Sequence, residues 1–196
     1  MGAYPTIVLA SGSARRRKLL EQLIGKRFSV IPSSYQEDNS QNVEPPELVT
    51  RHALGKALQV AEQDARAYVI GADTVIVHRG MILGKPHTEQ DAIGMLKRIS
   101  GATVECLTGV ALVNRHEGVT LLDREITLLS MAAISSDLAE QYVRLGESLD
   151  RAGGFAVERH GALLVKKISG CYYNVVGLPL YKLAAMLERA GVRVLG

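Results

Sequence analysis

The sequence has few cysteines, no long apolar runs and no extended charged surface stretch, and each shortage excludes a class of protein. Its two cysteines, Cys106 and Cys171, are too few for a disulfide framework and have no metal-ligand spacing. No apolar run approaches the roughly 18 residues that a membrane span requires. The N-terminus also lacks the charged and apolar segments of a signal peptide. We therefore expect a cytoplasmic protein with no membrane partner.

Basic charge is concentrated in one short stretch, residues 15–18, and the formal net charge of the chain is only +3. A nucleic-acid partner needs a wide basic surface, so this distribution excludes nucleic acid and favours a small anionic substrate. Of the 196 residues, 47% are hydrophobic, which is enough to bury a sizeable core. We expect a single domain over residues 1–196.

Strand and helix signals alternate along the chain, and this pattern predicts an α/β fold on a mixed sheet. Strands are predicted at 6–10, 28–31, 68–77, 81–83, 102–114, 119–132, 155–158 and 163–168. Helices are predicted after an N-cap at Ser13, from Pro46 to about Gln63, from Thr88 to Ile99, from Ser135 or Ser136 to about Leu145, and from Pro179 to just before Gly191. The polar loop at 33–46 is long for a compact protein, and loops of that length are often functional.

The turn after the first strand combines hydroxyl side chains with arginines. Ser11 and Ser13 precede Arg15 and Arg16 at the predicted start of a helix. The first amide groups of a helix have no partner within the helix and carry the positive end of its dipole, which favours a bound phosphate. The alternative interpretation is a solvated basic helix face.

Asp73 lies in the middle of an otherwise apolar strand, within the run Tyr68 to Val77. Burying a carboxylate without a partner costs free energy, so Asp73 requires a cation, a metal ion or a set of backbone donors. The sequence Gly-Ala-Asp-Thr at 71–74 also suits a turn or a bulge, and this alternative stays open.

Three further charged residues are candidates for the same chemistry. Lys56 shares a helical stripe with Val49 and Ala53, and Lys85 ends the predicted hairpin. Both side chains are long enough to reach a phosphate, or else each snorkels to solvent. Glu37, in the long loop, offers oxygen ligands to a divalent cation, although acids in polar loops are usually solvated. The five histidines show no zinc-ligand spacing.

Six short motifs in order along the chain resemble the Maf family of nucleoside triphosphate pyrophosphatases. They are the segments 11–16, 71–75, 84–86, 100–101, 152–155 and 175–180. The resemblance implies a two-lobed α/β fold on a long, mixed, curved sheet related to the inosine triphosphatases, with the active cleft between the lobes. It also implies a homodimer, release of pyrophosphate from a nucleoside triphosphate, and a divalent metal cation, magnesium or manganese.

Matched position by position, the resemblance assigns roles to the candidates above. The implied phosphate-binding residues are Ser11, Arg16, Lys56 and Lys85. Glu37 and Asp73 are implied to hold the metal, directly or through water, and Asp73 is the choice for activating the attacking water. Whether Asp73 is base, metal ligand or both stays open.

Three positions bear on the choice of nucleotide. Arg15 and Thr74 match family members that resemble dTTP/UTP pyrophosphatases, whereas Glu158 resembles the group that prefers 7-methyl-GTP. A glutamate only accepts hydrogen bonds, whereas the glutamine usual in the dTTP/UTP group also donates. Two positions against one favour dTTP and UTP, and 7-methyl-GTP is the alternative. A nucleotide-responsive regulator of septum formation is a second alternative.

Overall fold

The computed structural model describes residues 5–38 and 43–195, so four residues of the predicted loop, 39–42, lie outside the described part. Seven strands are described: Ile7–Leu9 (β1), Ser29–Val30 (β2), Tyr68–His78 (β3), Met81–Leu83 (β4), Thr103–Asn114 (β5), Val119–Met131 (β6) and Val165–Ser169 (β7). The described α-helices are Ala14–Ile24 (α1), Pro45–Ala61 (α2), Glu89–Ile99 (α3), Ser136–Arg144 (α4), Tyr172–Val176 (α5) and Leu180–Arg189 (α6). Two 3₁₀ segments, Ala152–Gly154 and Arg159–Leu163, precede β7.

The strands form one mixed sheet in the order β2-β1-β3-β5-β6-β7, with β4 paired to β3 off this path. Strand β1 runs parallel to both β2 and β3, whereas β4 is antiparallel to β3 and β7 is antiparallel to β6. The predicted α/β fold on a mixed sheet is therefore confirmed.

The chain divides into two compact units. Unit 1 comprises the described residues of 1–73, 108–125 and 177–196, and unit 2 comprises 74–107 and 126–176. The core of unit 1 includes small side chains, among them Ala53, Ala57 and Ala61 of α2. Larger side chains such as Leu96, Leu129 and Phe155 fill the core of unit 2.

Local signals set the helix starts where the sequence predicts them. The Ser13 hydroxyl accepts a hydrogen bond from the backbone N–H of Arg16, at 3.4 Å, and caps α1. Thr88 and Asp91 form a reciprocal capping box at α3, and Ser135 caps α4. These caps depend only on residues three apart in the chain, which is why the sequence locates them well.

The predicted strand at 155–158 is wrong. Residues 155 and 156 are buried, but the Ala156 N–H donates to the Tyr142 hydroxyl, at 3.0 Å, instead of joining a ladder. Helix α5 was also not predicted. In contrast, β3 runs without interruption from Tyr68 to His78, so the stretch containing Asp73 is strand and not a turn. The other predicted bounds differ from the observed ones by at most two residues.

Candidate active site

Two glycines allow α2 to approach the sheet closely within unit 1. A Cβ added to Gly71 of β3 would lie 2.1 Å from the carbonyl oxygen of Ala53, and one added to Gly109 of β5 would lie 2.3 Å from that of Val49. Both contacts are with helix backbone, which cannot move aside as a side chain can. The absence of these two side chains lets the buried face of α2 rest directly on β3 and β5.

This close approach brings Lys56 of α2 onto Asp73 of β3. The Lys56 ammonium lies 2.7 Å from Asp73 Oδ1 and 2.6 Å from Glu37 Oε1, and it also donates to the Ala72 carbonyl at 3.4 Å. The Lys56 and Asp73 side chains are only 11% and 6% exposed, whereas that of Glu37 is 42% exposed. Three of the predicted site residues therefore form one cluster, and the partner of the buried aspartate is a cation.

The second carboxylate oxygen of Asp73 has a different environment from the first. Asp73 Oδ2 is buried and has no hydrogen-bond partner among the residues described. Because an unsatisfied buried acceptor costs free energy, this oxygen is available to a ligand. The cluster of two carboxylates and one ammonium also carries a formal charge of −1, and such a set of oxygens fits a divalent cation.

The carboxylates of Glu37 and Asp73 fit a magnesium or manganese ion that also binds water and substrate, and within the described residues they do not form a site in which the protein supplies every ligand. In the described ranges, no group of three or more His, Cys, Asp or Glu side chains is placed to hold a metal ion. Magnesium is commonly held by one or two carboxylates together with water and substrate phosphate oxygens. Glu37 and Asp73 supply two such carboxylates, and both contact the Lys56 ammonium.

Ser11 and Arg16 lie together at the carboxyl end of β1. Arg16 Nη1 donates to the Ser11 hydroxyl at 3.4 Å, and Arg16 Nε donates to the Gly177 carbonyl at 2.8 Å. Strands β1 and β3 are parallel, with Leu9 opposite Ile70, and the chain continues beyond both residues in the same direction. Ser11 and Arg16 therefore follow β1 at the same edge of the sheet toward which β3 runs from Ile70 to Asp73.

Lys85 belongs to a different cluster, in unit 2. Its ammonium lies 2.8 Å from Asp150 Oδ1, and the two side chains are 65% and 75% exposed. Arg151 Nη1 lies 3.8 Å from the other oxygen of Asp150. A hydrogen bond of 2.9 Å from the Gly153 N–H to the Gly84 carbonyl ties the two segments together. These three charged side chains sum to +1, the opposite sign to the Lys56 cluster.

The three positions associated with nucleotide choice are all partly exposed. Arg15 lies in the first turn of α1, Thr74 follows the buried Asp73 in β3, and Glu158 precedes the second 3₁₀ segment. Burial raises the pKa of the Tyr172 hydroxyl, and the nearby negative charge of Glu158 raises it further. The roles of all three positions stay predictions.

One residue of this region was missed by sequence reasoning. His52 of α2 is fully buried, and the Tyr35 hydroxyl lies 3.3 Å from its Nδ1. Zinc-ligand spacing and an adjacent serine or cysteine are the signals that mark a functional histidine, and His52 has none of them because it contacts Tyr35. The available signal was its position four residues before Lys56, on the same side of one helix.

The described helices include none that is both long and apolar enough to span a membrane.

Comparison with known proteins covers almost the whole chain. The sequence profile of the family described as Maf-like protein matches residues 6–190. A dTTP/UTP pyrophosphatase of Methanococcoides burtonii is 44% identical over 188 residues, covering 96% of each protein. Another from Methanosarcina mazei is 41% identical, covering 96% of this chain and 95% of the relative.

Among solved structures, the chain is similar to a nucleoside-triphosphatase (dITP/XTP pyrophosphatase) of Mycobacterium abscessus. The TM-score is 0.43 and the identity 12%, over 66% of this chain and 75% of that one. The profile match and the two relatives rest on nearly the full length of the sequence, including every motif around Ser11, Asp73 and Lys85. The chain therefore belongs to the Maf-like protein family.

Proposed function

We propose that this protein is a nucleoside triphosphate pyrophosphatase that hydrolyses dTTP and UTP to the monophosphate and pyrophosphate. The observation that carries the proposal is the buried Lys56 bridging Asp73 and Glu37, three residues to which the family resemblance assigns roles in the reaction. The names of the two relatives quoted above, together with Arg15 and Thr74, support the choice of dTTP and UTP. We also propose a role in nucleotide-pool sanitation.

Neutralising charge is the largest task of such a site, because the triphosphate and the leaving pyrophosphate are strongly anionic. Arg16 is held by the Gly177 carbonyl and by Ser11, which directs its guanidinium toward the turn after β1. We assign phosphate binding to Ser11, Arg16 and Lys56. Lys85, in the positively charged cluster of unit 2, is assigned the same role.

Asp73 is proposed to take the proton of the attacking water. Lys56 contacts Oδ1, which leaves Oδ2 as the buried oxygen without a partner in the described structure. The water oxygen forms a bond to the α-phosphorus, and the bond from that phosphorus to the bridging oxygen breaks. Pyrophosphate leaves with the electron pair, and the proton passes to Asp73 Oδ2.

A divalent cation held by Glu37 and Asp73 would stabilise charge on the phosphate oxygens and lower the pKa of bound water. The same two carboxylates contact Lys56, so this lysine holds them beside each other. From the family resemblance we further propose a homodimer in the cytoplasm.

Glu158 favours a second candidate, a pyrophosphatase acting on 7-methyl-GTP. A carboxylate accepts hydrogen bonds from guanine N1 and N2 and attracts a cationic methylated ring. dTTP and UTP remain the first choice because Arg15 and Thr74 both point to them.

The test measures pyrophosphate release from UTP, dTTP, CTP, GTP and 7-methyl-GTP with magnesium or manganese, beside the Asp73→Asn variant. We expect UTP and dTTP to be preferred, and the variant to lose about 10²- to 10⁴-fold in turnover because it lacks a proton acceptor. The asparagine keeps an oxygen for Lys56, so thermal unfolding checks that the fold survives. Asp137→Asn, on the surface of α4, is the matched control.

Preference for 7-methyl-GTP would make Glu158 decisive and support the second candidate. Nucleotide binding without pyrophosphate release would refute both and support a nucleotide-responsive regulator of septum formation.

A further inference from the structure

One face of α2 contacts the loop segment that carries Glu37. The face consists of His52, Gly55, Lys56 and Gln59, and we call it the docking face. Positions separated by three, four and seven residues lie on the same side of an α-helix. Residues 33–37 touch it at each of these four positions. The contacts therefore form one continuous surface along two turns of the helix.

Gln59 holds the first residues of the segment. Its side-chain oxygen accepts from the Ser33 hydroxyl at 2.8 Å and from the Ser34 backbone N–H at 3.2 Å, and its Nε2 donates to the Ser34 hydroxyl at 2.9 Å. The Ser33 hydroxyl in turn accepts from the Tyr35 backbone N–H at 3.0 Å. These bonds fix the backbone two residues before Glu37.

Tyr35 contacts the middle of the docking face. Its ring centroid lies 5.7 Å from that of His52, and its hydroxyl lies 3.3 Å from the buried Nδ1. The ring also covers Gly55, where an added Cβ would lie 2.3 Å from ring atom Cε2. Glycine in a helix interior weakens the helix, and here it leaves the space that the ring fills.

We propose that Tyr35 is a positioning residue, which holds Glu37 against Lys56 by docking its own ring on α2. Glu37 is partly exposed in a polar loop, where an untethered side chain would sample many positions. With Tyr35 docked, only Gln36 separates the docked ring from Glu37, and the Gln36 side chain itself donates to the Ser34 carbonyl at 3.1 Å. The inference rests on the proposed function, because it gives Glu37 a catalytic task.

Gly55→Ala tests the docking without weakening the helix. Alanine favours helix more than glycine does, so we expect the melting temperature to stay level or rise while kcat falls about tenfold, because the new methyl group displaces the ring. Gly94→Ala in α3 is the matched control. Gly94 is also inside a helix, and nothing lies within 4 Å of an added Cβ there, so its kcat should not change.

Hydrogen exchange gives a readout that does not depend on activity. The Ser34 and Tyr35 amides both donate to side-chain oxygens of the docked arrangement. We expect Gly55→Ala to accelerate exchange in a peptide covering residues 33–38, and Gly94→Ala to leave it unchanged. Unchanged exchange in Gly55→Ala would refute the docking.

A double-mutant cycle with Glu37→Gln tests whether the docking acts through Glu37. Tyr35→Phe keeps the ring but loses the hydroxyl bond to His52, so we expect about a threefold loss of kcat. In the Glu37→Gln background, both Tyr35→Phe and Gly55→Ala should cost nothing further. Full multiplicative losses, or faster exchange with unchanged kcat, would overturn the positioning role. An unmodified protein that releases no pyrophosphate from any nucleotide would instead refute the proposed function.

Discussion

Two lysines that the sequence presents as equals, Lys56 and Lys85, lie in opposite surroundings. The Lys56 side chain is 11% exposed and bridges two carboxylates on a helix packed against the sheet. Lys85 is 65% exposed and pairs with Asp150, itself 75% exposed, at the end of a hairpin. A buried charge must be paired to be tolerated, whereas an exposed pair contributes little to stability.

The sign of each cluster separates them further. Lys56 with Glu37 and Asp73 carries a formal charge of −1, whereas Lys85 with Arg151 and Asp150 carries a formal charge of +1. An excess of carboxylate suits a cation, and an excess of ammonium and guanidinium suits phosphate. The charge around the two lysines therefore differs in sign, and residue type alone does not give that difference.

The largest difference between the two sites should appear when each lysine becomes methionine. Lys56→Met removes the cation between two carboxylates and leaves the buried Asp73 uncompensated, so we expect a loss of about 3–5 kcal/mol in the free energy of unfolding. Lys85→Met removes an exposed pair and should cost less than about 1 kcal/mol. Urea titration of both variants measures the difference.

The enzymatic activity of the same two variants should also differ. Under conditions where both are folded, Lys56→Met should abolish turnover because Glu37 and Asp73 lose their common partner. Lys85→Met should mainly raise KM. Equal losses in the free energy of unfolding of the two variants would contradict the prediction that burial distinguishes these sites.

A smaller but sharper contrast comes from the glycines beside each lysine. Gly71→Ala places a methyl group 2.1 Å from the Ala53 carbonyl oxygen, so α2 must move off β3 and carry Lys56 with it. Overpacking of this kind costs about 1–3 kcal/mol. Gly84→Ala, next to Lys85, meets nothing within 4 Å and should be neutral. Thermal unfolding measures the cost, and a stable, fully active Gly71→Ala variant would contradict the requirement for close approach.

Much of the fold could be predicted because its signals are local. The caps at Ser13 and Thr88 and the apolar stripe of α2 each depend on residues three or four apart. An aspartate inside an apolar strand is also a local anomaly. It predicted that Asp73 has a partner, either a cation, a metal ion or backbone donors, and the structure places the Lys56 ammonium there.

The remainder depends on contacts between residues far apart in the chain. The strand predicted at 155–158 fails because the Ala156 amide is taken by Tyr142, and nothing near Ala156 in sequence signals that bond. Arg16 is oriented by Gly177, which is 161 positions away. The docking of Tyr35 on Gly55 was equally invisible, since a helical glycine normally indicates only a weak point.

The smallest effect we predict is in the exposed cluster around Lys85. Asp150→Asn raises the charge of the cluster from +1 to +2, so a phosphate placed beside Lys85 and Arg151 should bind more tightly. Exposed pairs are worth about 0–1 kcal/mol, and we therefore expect KM for UTP to fall about two- to threefold with kcat unchanged. Steady-state kinetics at low salt, with Asp137→Asn as control, measures this change.

Salt dependence distinguishes this electrostatic effect from a structural one. The Debye length shortens from about 30 Å at 0.01 M salt to about 10 Å at 0.1 M, so the gain from Asp150→Asn should shrink as salt is added. If Asp150 instead serves to hold the Lys85 side chain in place, KM rises in Asp150→Asn at every salt concentration. That result would make Asp150 a residue that orients Lys85, whereas in the buried cluster Lys56 holds the two carboxylates.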